Sequence, residues 1–186
     1  MGFFLCSSFL GFDVKVLQSY CHPDVDLKSS SKFTRKTARA LILNGDDVLL
    51  MYTHKYDDYS FPGGGLENHE DIVTGLLREL QEETGAQNIT NIQEFGLYEE
   101  YRPWYKEDFD VIHILSYCFT CNVDLKLGEN KLEDYEIKNG MTTKWVNIHK
   151  ALAYNHQTMT NSPKKGMSLQ REIFLLEALL KSRESK

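Results

Sequence analysis

Glu79, Glu82 and Glu83 stand at i, i+3 and i+4 near the end of the stretch His69–Thr84. The apolar residues of that stretch, Ile72, Val73, Leu76, Leu77 and Leu80, repeat with a helical period, and Gly85 closes it. At about 100° per residue, Glu79 and Glu83 lie about 40° apart around the helix, with Glu82 about 60° to one side. Three carboxylates therefore share one edge beside the apolar stripe. Like charges at this spacing oppose helix formation by roughly a few tenths of a kcal/mol per pair, and negative charge in the last turn opposes the helix dipole. Two local rules broken in one place point to function. Oxygen-rich clusters suit a hard divalent cation, Mg²⁺ or Mn²⁺, bound together with water and substrate phosphate. An acidic helix face alone is ordinary surface decoration, but this one has neighbours that raise it above that. Arg78 adjoins the carboxylates and can orient them by charge-assisted hydrogen bonds. Gly75 lies one turn earlier on the same side and leaves room for a ligand. The run Gly63-Gly64-Gly65 lets the backbone approach a metal or a phosphate closely.

The same segment resembles the Nudix box, G-x5-E-x7-R-E-U-x-E-E-x-G-U with U aliphatic. Gly64, Glu70, Arg78, Glu79, Leu80, Glu82, Glu83, Gly85 and Ala86 match its fixed positions, the small Ala86 being a mild departure. The resemblance implies an α/β fold, a Nudix-type α/β/α sandwich with a mixed β-sheet, over about residues 33–181. Residues 1–32 then form an extension or strand of unassigned role, and 182–186 a C-terminal tail. It implies hydrolysis of the diphosphate linkage in a nucleoside diphosphate joined to another moiety: a nucleotide sugar, a dinucleoside polyphosphate or a nucleoside triphosphate. By motif position Glu79, Glu82 and Glu83 ligate Mg²⁺ (or Mn²⁺), the Gly64 carbonyl is a further ligand, and Arg78 orients the glutamates. The general base is a glutamate of the box or of a later loop, where Glu129, Glu133, Asp134 and Glu136 are candidates. The expected partner is a small nucleoside diphosphate derivative rather than DNA or a membrane, and homodimers are frequent in the family. The alternative is a Nudix-fold nucleotide-binding or regulatory module without catalysis, which would be expected to lose box glutamates or to carry a DNA-binding domain.

Substrate selection has to come from outside the box. Downstream lies an aromatic-rich stretch, Phe95, Tyr98, Tyr101, Trp104, Tyr105 and Phe109, in which one or two rings can stack on a base while the others pack across strands. Tyr101 and Trp104, which flank Pro103, are the chosen candidates, together with Phe61 at the entry to the glycine run. Arg39 belongs to the basic stretch Lys28–Arg39 and can meet a phosphate, although most of that cluster reads as a solvated edge strand.

These residues need elements to hold them. Strands are expected at Phe12–Tyr20, Thr34–Leu43, Val48–His54, Ile92–Tyr101, Phe109–Val123 and Thr142–Ile148, with an Asn44-Gly45 hairpin turn and a last helix over Ser168–Leu180. Strands and helices do not alternate as regular βαβ units, which favours a mixed sheet flanked by helices. Cys118 and Cys121 form a C-x-x-C inside a strand, where residues three apart point to opposite faces, so neither zinc nor a redox pair is expected. Free thiols fit a reducing cytoplasm. Met1–Phe12 is apolar, but no Lys or Arg precedes it, so it lacks the positive start of a secretory signal. The 186 residues carry a net charge of −6, which disfavours a general nucleic-acid binder. Between Gly64 and Gly85 the net charge is −5, leaving −1 for the rest of the chain. The acidity is local to the proposed metal site, and a divalent cation there would reverse its sign.

Overall fold

Alternation along β2 (Lys32–Leu41) divides the apolar residues between two cores. Ala38 and Ala40 point to one side, and Ile42 just beyond the strand continues that face. They pack on Leu76 and Leu80 of α1 (Ile72–Thr84). Leu41 points the other way, towards α3 (Ile148–Asn161) and α4 (Leu169–Glu184), with Ile148, Ala151, Leu175, Leu176 and Leu179 around it. Each leucine buried in this way contributes about 1.5–3 kcal/mol. The result is a helix layer, a mixed sheet and a second helix layer. The computed structural model describes residues 14–28 and 30–184. The apolar segment Met1–Phe12, Cys6 and the start of the strand expected from Phe12 lie outside the described residues.

One sheet has the order β1-β6-β7-β2, where β1 is Val16–Cys21, β6 Thr90–Pro103 and β7 Val111–Asn122. β6 and β7 are antiparallel, and the outer pairs β1·β6 and β2·β7 are parallel. The second sheet is built on β4 (Asp47–Thr53), which pairs antiparallel with β3 (Leu43–Asn44), β5 (Asp58–Ser60) and β8 (Met141–Asn147). The glycine run joins the two sheets along β2. Ala40 N–H donates to the Pro62 carbonyl, Ala38 N–H to Gly64 and Leu66 N–H to Lys36, each at 3.0 Å. Gly63, at φ +128°, has no room for a side chain, because a Cβ there would collide with the Ala38 carbonyl oxygen.

Cys118 belongs to the α3/α4 core and Cys121 to the α1 core, so the two thiols do diverge, and both are free. One boundary and three elements differ from the sequence expectation. β1 falls on the strand expected before residue 33, and it pairs with β6 in the sheet. α4 runs through Glu184, with Arg183 bonded to Asp46 at 2.7 Å, so residues 182–184 are helix rather than tail. Helix α3 was not anticipated, and neither were β5 and the short α2 (Asp134–Asn139). Part of what holds α3 is polar. Buried Asn155 accepts Tyr59 N–H at 2.9 Å and donates to Tyr59 O at 2.8 Å, and Thr158 Oγ1 donates to Asp57 O at 2.7 Å.

Candidate active site

Asp71 starts α1 as its N-cap, accepting the N–H groups of Val73 (3.0 Å) and Thr74 (3.2 Å). Gly85 ends it in the left-handed conformation at φ +68°. The intervening helix carries the glycine loop on its surface. Gly75 is where they meet: a Cβ there would run into Leu66 and the Glu70 carboxylate. The missing side chain therefore makes room for the loop, not for a ligand as the sequence suggested.

Arg78 fastens loop to helix with all three guanidinium nitrogens. Its Nε and Nη2 bind the two oxygens of Glu70 at 2.9 and 3.0 Å, and Nη2 also reaches the Gly65 carbonyl at 3.1 Å. Nη1 binds Glu79 at 2.9 Å and Glu82 at 3.1 Å. The Glu70 carboxyl is held below its usual range, first by the Arg78 bond and then by the Glu67 N–H. Glu70, a fixed motif position without an assigned role in the sequence reading, is thus the anchor for the arginine.

Two of the three helix carboxylates turn towards the glycine loop. The Glu79 carboxyl lies where a Gly64 Cβ would be, with Cδ and Oε1 each at 2.5 Å from that point, so only glycine permits the approach. Glu83 is buried and accepts Gly63 N–H at 2.6 Å. Burial raises the Glu83 carboxyl to about 8, opposed by Arg39 and the Gly63 bond and reinforced by Glu136 and Glu79. Burial likewise raises Glu79, against Arg78. Glu82 is more exposed and turns to Arg78. The three carboxylates are therefore not gathered as one set: among the described residues, no three His, Cys, Asp or Glu side chains come together as metal ligands. Arg78 serves as the cation for two of them and Gly63 N–H partners the third. The donor chemistry nevertheless suits a hard cation. Glu79, Glu83 and the Gly64 carbonyl all offer oxygen. The Gly64 carbonyl spends one lone pair on Ala38 N–H, and Glu83 is a buried carboxylate short of positive charge.

Beside this edge lies a cleft of about 480 Å³ whose walls include Gly63–Gly65 and Glu83. Four arginines also line it: Arg35 and Arg39 from β2, Arg102 from β6 and Arg171 from α4. Two are neutralised inside the protein. Fully buried Glu100 accepts Arg102 and, at 2.6 Å, Arg171, while Glu172 accepts Arg171 at 2.7 Å and Phe61 N–H at 2.9 Å. Arg39 donates from Nη1 to the Phe61 and Gly63 carbonyls but leaves its buried Nε without a partner. Burial and the neighbouring Arg171 lower its pKa. A larger depression of about 880 Å³ follows the outer stripe of α1 and includes Arg78 and Glu82 but neither Glu79 nor Glu83.

The chosen substrate residues divide sharply. Arg39 lines the cleft. Phe61 does not: its ring is 1% exposed and lies in the α3/α4 core, so it is withdrawn as a ligand contact. Tyr101 faces away from the cleft side of β6, stacked on His113 at 4.3 Å and bonded to Glu99 at 3.0 Å. Trp104 is spent on Phe33 (4.7 Å) and on Asp108 (3.0 Å). The aromatics that line the cleft are its neighbour Tyr105, 79% exposed, together with Tyr56 and Tyr135. Sequence reading missed Arg102 and Arg171, which reach the site from distant segments, and took Arg35 for a surface charge. Of the four candidate bases only Glu136 lines the cleft; its oxygens accept Glu133 N–H at 2.8 Å and Tyr135 O–H at 3.0 Å.

The family model described as the NUDIX domain matches residues 33–168. No curated protein matches the chain. Among solved structures, a NUDIX hydrolase from Nitrosomonas europaea is similar at 22% identity and a TM-score of 0.57, over 81% of this chain and 90% of that one. A MutT protein from Bacillus halodurans aligns at 21% identity and a TM-score of 0.49, over 64% and 72%. The first likeness bears on the fold alone.

Proposed function

The chain belongs to the NUDIX family, and we propose that it hydrolyses the diphosphate linkage of a nucleoside diphosphate joined to a second moiety, using Mg²⁺ or Mn²⁺. One observation carries this reading: Glu79 and Glu83 converge on the backbone of Gly63 and Gly64 at the edge of an arginine-walled cleft. Glu79, Glu83 and the Gly64 carbonyl would hold the cation, while Glu82 turns to Arg78. When bound, the cation neutralises the diphosphate and acidifies the attacking water.

The chain's own residues supply the rest. Arg39, with a free buried Nε, and Arg35, lying over Gly65, bind non-bridging phosphate oxygens as planar donors. Arg78 fixes the direction of Glu79 and, through Glu70, the position of the loop. Glu136, held by two donors of its own segment, accepts the proton of the attacking water. Water oxygen bonds to one phosphorus, the bridging oxygen leaves with the electron pair of the broken P–O bond, and two phosphate monoesters result. Diphosphate charge builds on groups already in place, which is where electrostatic preorganisation acts.

A panel of nucleoside diphosphate derivatives assayed with Mg²⁺ and Mn²⁺, alongside Glu82→Gln and Glu83→Gln, tests this. Turnover of at least one compound that Glu83→Gln abolishes is the expected result. A nucleotide that raises the melting temperature while no compound turns over would make the chain a binding module instead.

A further inference from the structure

The glycine loop is held at both ends. Arg78 holds its far end through the Gly65 carbonyl at 3.1 Å. Its start is held by a buried ionic chain that belongs to neither the helix motif nor the proposed cation site. Glu172 Oε2 accepts the Phe61 N–H at 2.9 Å, two residues before Gly63. Glu172 Oε1 accepts Nε and Nη2 of Arg171 at 3.0 and 2.7 Å, and Arg171 Nη1 reaches Glu100 on β6 at 2.6 Å. The other Glu100 oxygen accepts Nε of Arg102 at 2.8 Å. The chain thus runs from Arg102 through Glu100, Arg171 and Glu172 to the amide that opens the loop. At its cleft end, Arg102 Nη1 forms no hydrogen bond among the described residues.

Packing alone does not ask for these charges. Helix α4 covers the sheet with Leu169, Ile173, Leu175, Leu176 and Leu179, yet its first turn buries Arg171 and Glu172 beside them. A buried ion pair is often no more stabilising than apolar residues of the same volume, because desolvation offsets the attraction. Two arginines and two glutamates leave the set neutral, which makes its burial tolerable. What apolar side chains could not supply is direction: an acceptor aimed at the Phe61 N–H, and a fixed path from that amide to the guanidinium of Arg102. The Phe61 carbonyl is held as well, by Arg39 Nη1 at 3.4 Å, and the same nitrogen reaches the Gly63 carbonyl. Glu172 supports that contact too, since its charge offsets the repulsion of Arg171 at Arg39.

We infer that Glu172 is a positioning residue of the site. It sets the start of the glycine loop, and with it the Gly63 N–H on Glu83 and the Gly64 carbonyl, in register with Arg102 on β6. It acts through Phe61 and Arg171 rather than by touching the substrate. The kinetic consequence rests on the hydrolase reading; the placement of the loop does not.

Glu172→Gln tests this, because one amide oxygen cannot replace two carboxylate oxygens that serve Phe61 and Arg171 at once. With the best nucleoside diphosphate derivative of the panel, kcat is expected to fall at least tenfold while KM stays within threefold. Hydrogen exchange of the Gly63 amide, read by NMR relative to the slowest amides of the protein, is expected to be at least tenfold faster. Glu177→Gln, on the same helix, removes a partly exposed contact with His156 at 3.4 Å. It controls for loosening of α4 and should leave kcat and Gly63 exchange within twofold. If Glu172→Gln does not fold, Arg171→Met combined with Glu172→Leu takes its place, since it withdraws both charges from the core together, and Gly63 exchange is the readout. A variant that melts early yet keeps kcat and Gly63 exchange within twofold of wild type gives Glu172 a part in stability alone and overturns the inference. If no compound turns over, the hydrolase reading fails separately, and Gly63 exchange decides: tenfold faster exchange supports the positioning role, and exchange within twofold overturns it.

Discussion

Replacing Arg78 by lysine keeps the charge and removes the fork, which isolates what the planar guanidinium does. Arg78 makes five hydrogen bonds, two to Glu70 and one each to Glu79, Glu82 and the Gly65 carbonyl. Hydrogen bonds to charged groups contribute roughly 1.5–3 kcal/mol each, and a lysine ammonium can reach only one or two of these acceptors at a time. The arginine side chain is 26% exposed, so solvent screens part of the loss. A stability decrease of about 2–3 kcal/mol is expected, or roughly 5–10 °C in melting temperature for a chain of this size. The kinetic effect should be larger. Glu79 loses the one cation hydrogen-bonded to it among the described residues and the loop loses its anchor, so kcat is expected to fall about 100-fold, near 2.7 kcal/mol, with KM changed no more than about threefold. Glu70→Gln added to Arg78→Lys should then cost little more, because both act on one clamp. Steady-state kinetics and thermal melts of the two single variants and the double variant measure all of this. An Arg78→Lys enzyme that melts early yet keeps kcat within twofold of wild type would refute the positioning role, and fully additive losses in the double variant would refute the shared clamp.

Three further outcomes follow from particular contacts. Gly64→Ala places a methyl group where the Glu79 carboxyl lies; kcat should fall at least 100-fold, whereas Gly45→Ala, with open space around it, should leave kcat within twofold. Asp58 is raised to about 7, first by burial and then by Glu172. The folded chain therefore holds a proton between about pH 4 and 7 that the unfolded chain has lost, and stability declines as pH rises through that window. Asp58→Asn should melt higher than wild type at pH 8, by on the order of 2–4 kcal/mol of stability, and the gap should close at pH 4; melts at both values check it. Burial raises Cys118 to about 12 and Cys121 to about 11, so a thiol reagent at pH 7.5 should modify exposed Cys21 and spare both until the protein is unfolded, as peptide mass spectrometry would show.

The site's backbone was legible in the sequence because it is local. Asp71 to Gly85 is one helix with its cap, its stop and its carboxylates, and spacing alone sets which side chains share an edge. The opposite placement of Cys118 and Cys121 follows from the strand period in the same way. What period cannot show is which carboxylates a single arginine will hold, so Glu82 was grouped with Glu79 and Glu83 although it turns to Arg78. Helix α3 escaped notice because two of its buried positions are Asn155 and Thr158, which bond to the β5 segment and break the apolar period. The cleft was least legible. Arg102 and Arg171 come from two elements far apart in the chain, and only the folded sheet brings them together. Tyr101, Trp104 and Tyr105 look alike in sequence. Strand alternation turns Tyr101 away, Phe33 and Asp108 occupy Trp104, and Tyr105 is left facing the cleft.

Glu83, bonded to the backbone of Gly63, is proposed to take part in cleaving a diphosphate. Mg²⁺-dependent hydrolysis of the best nucleoside diphosphate derivative in the panel tests this, comparing wild type with Glu83→Gln and identifying products by phosphorus NMR. Two phosphate monoesters are expected from wild type, with a rate at least about 100-fold lower in the variant. A variant as fast as wild type, or products in which the diphosphate bond survives, would contradict it.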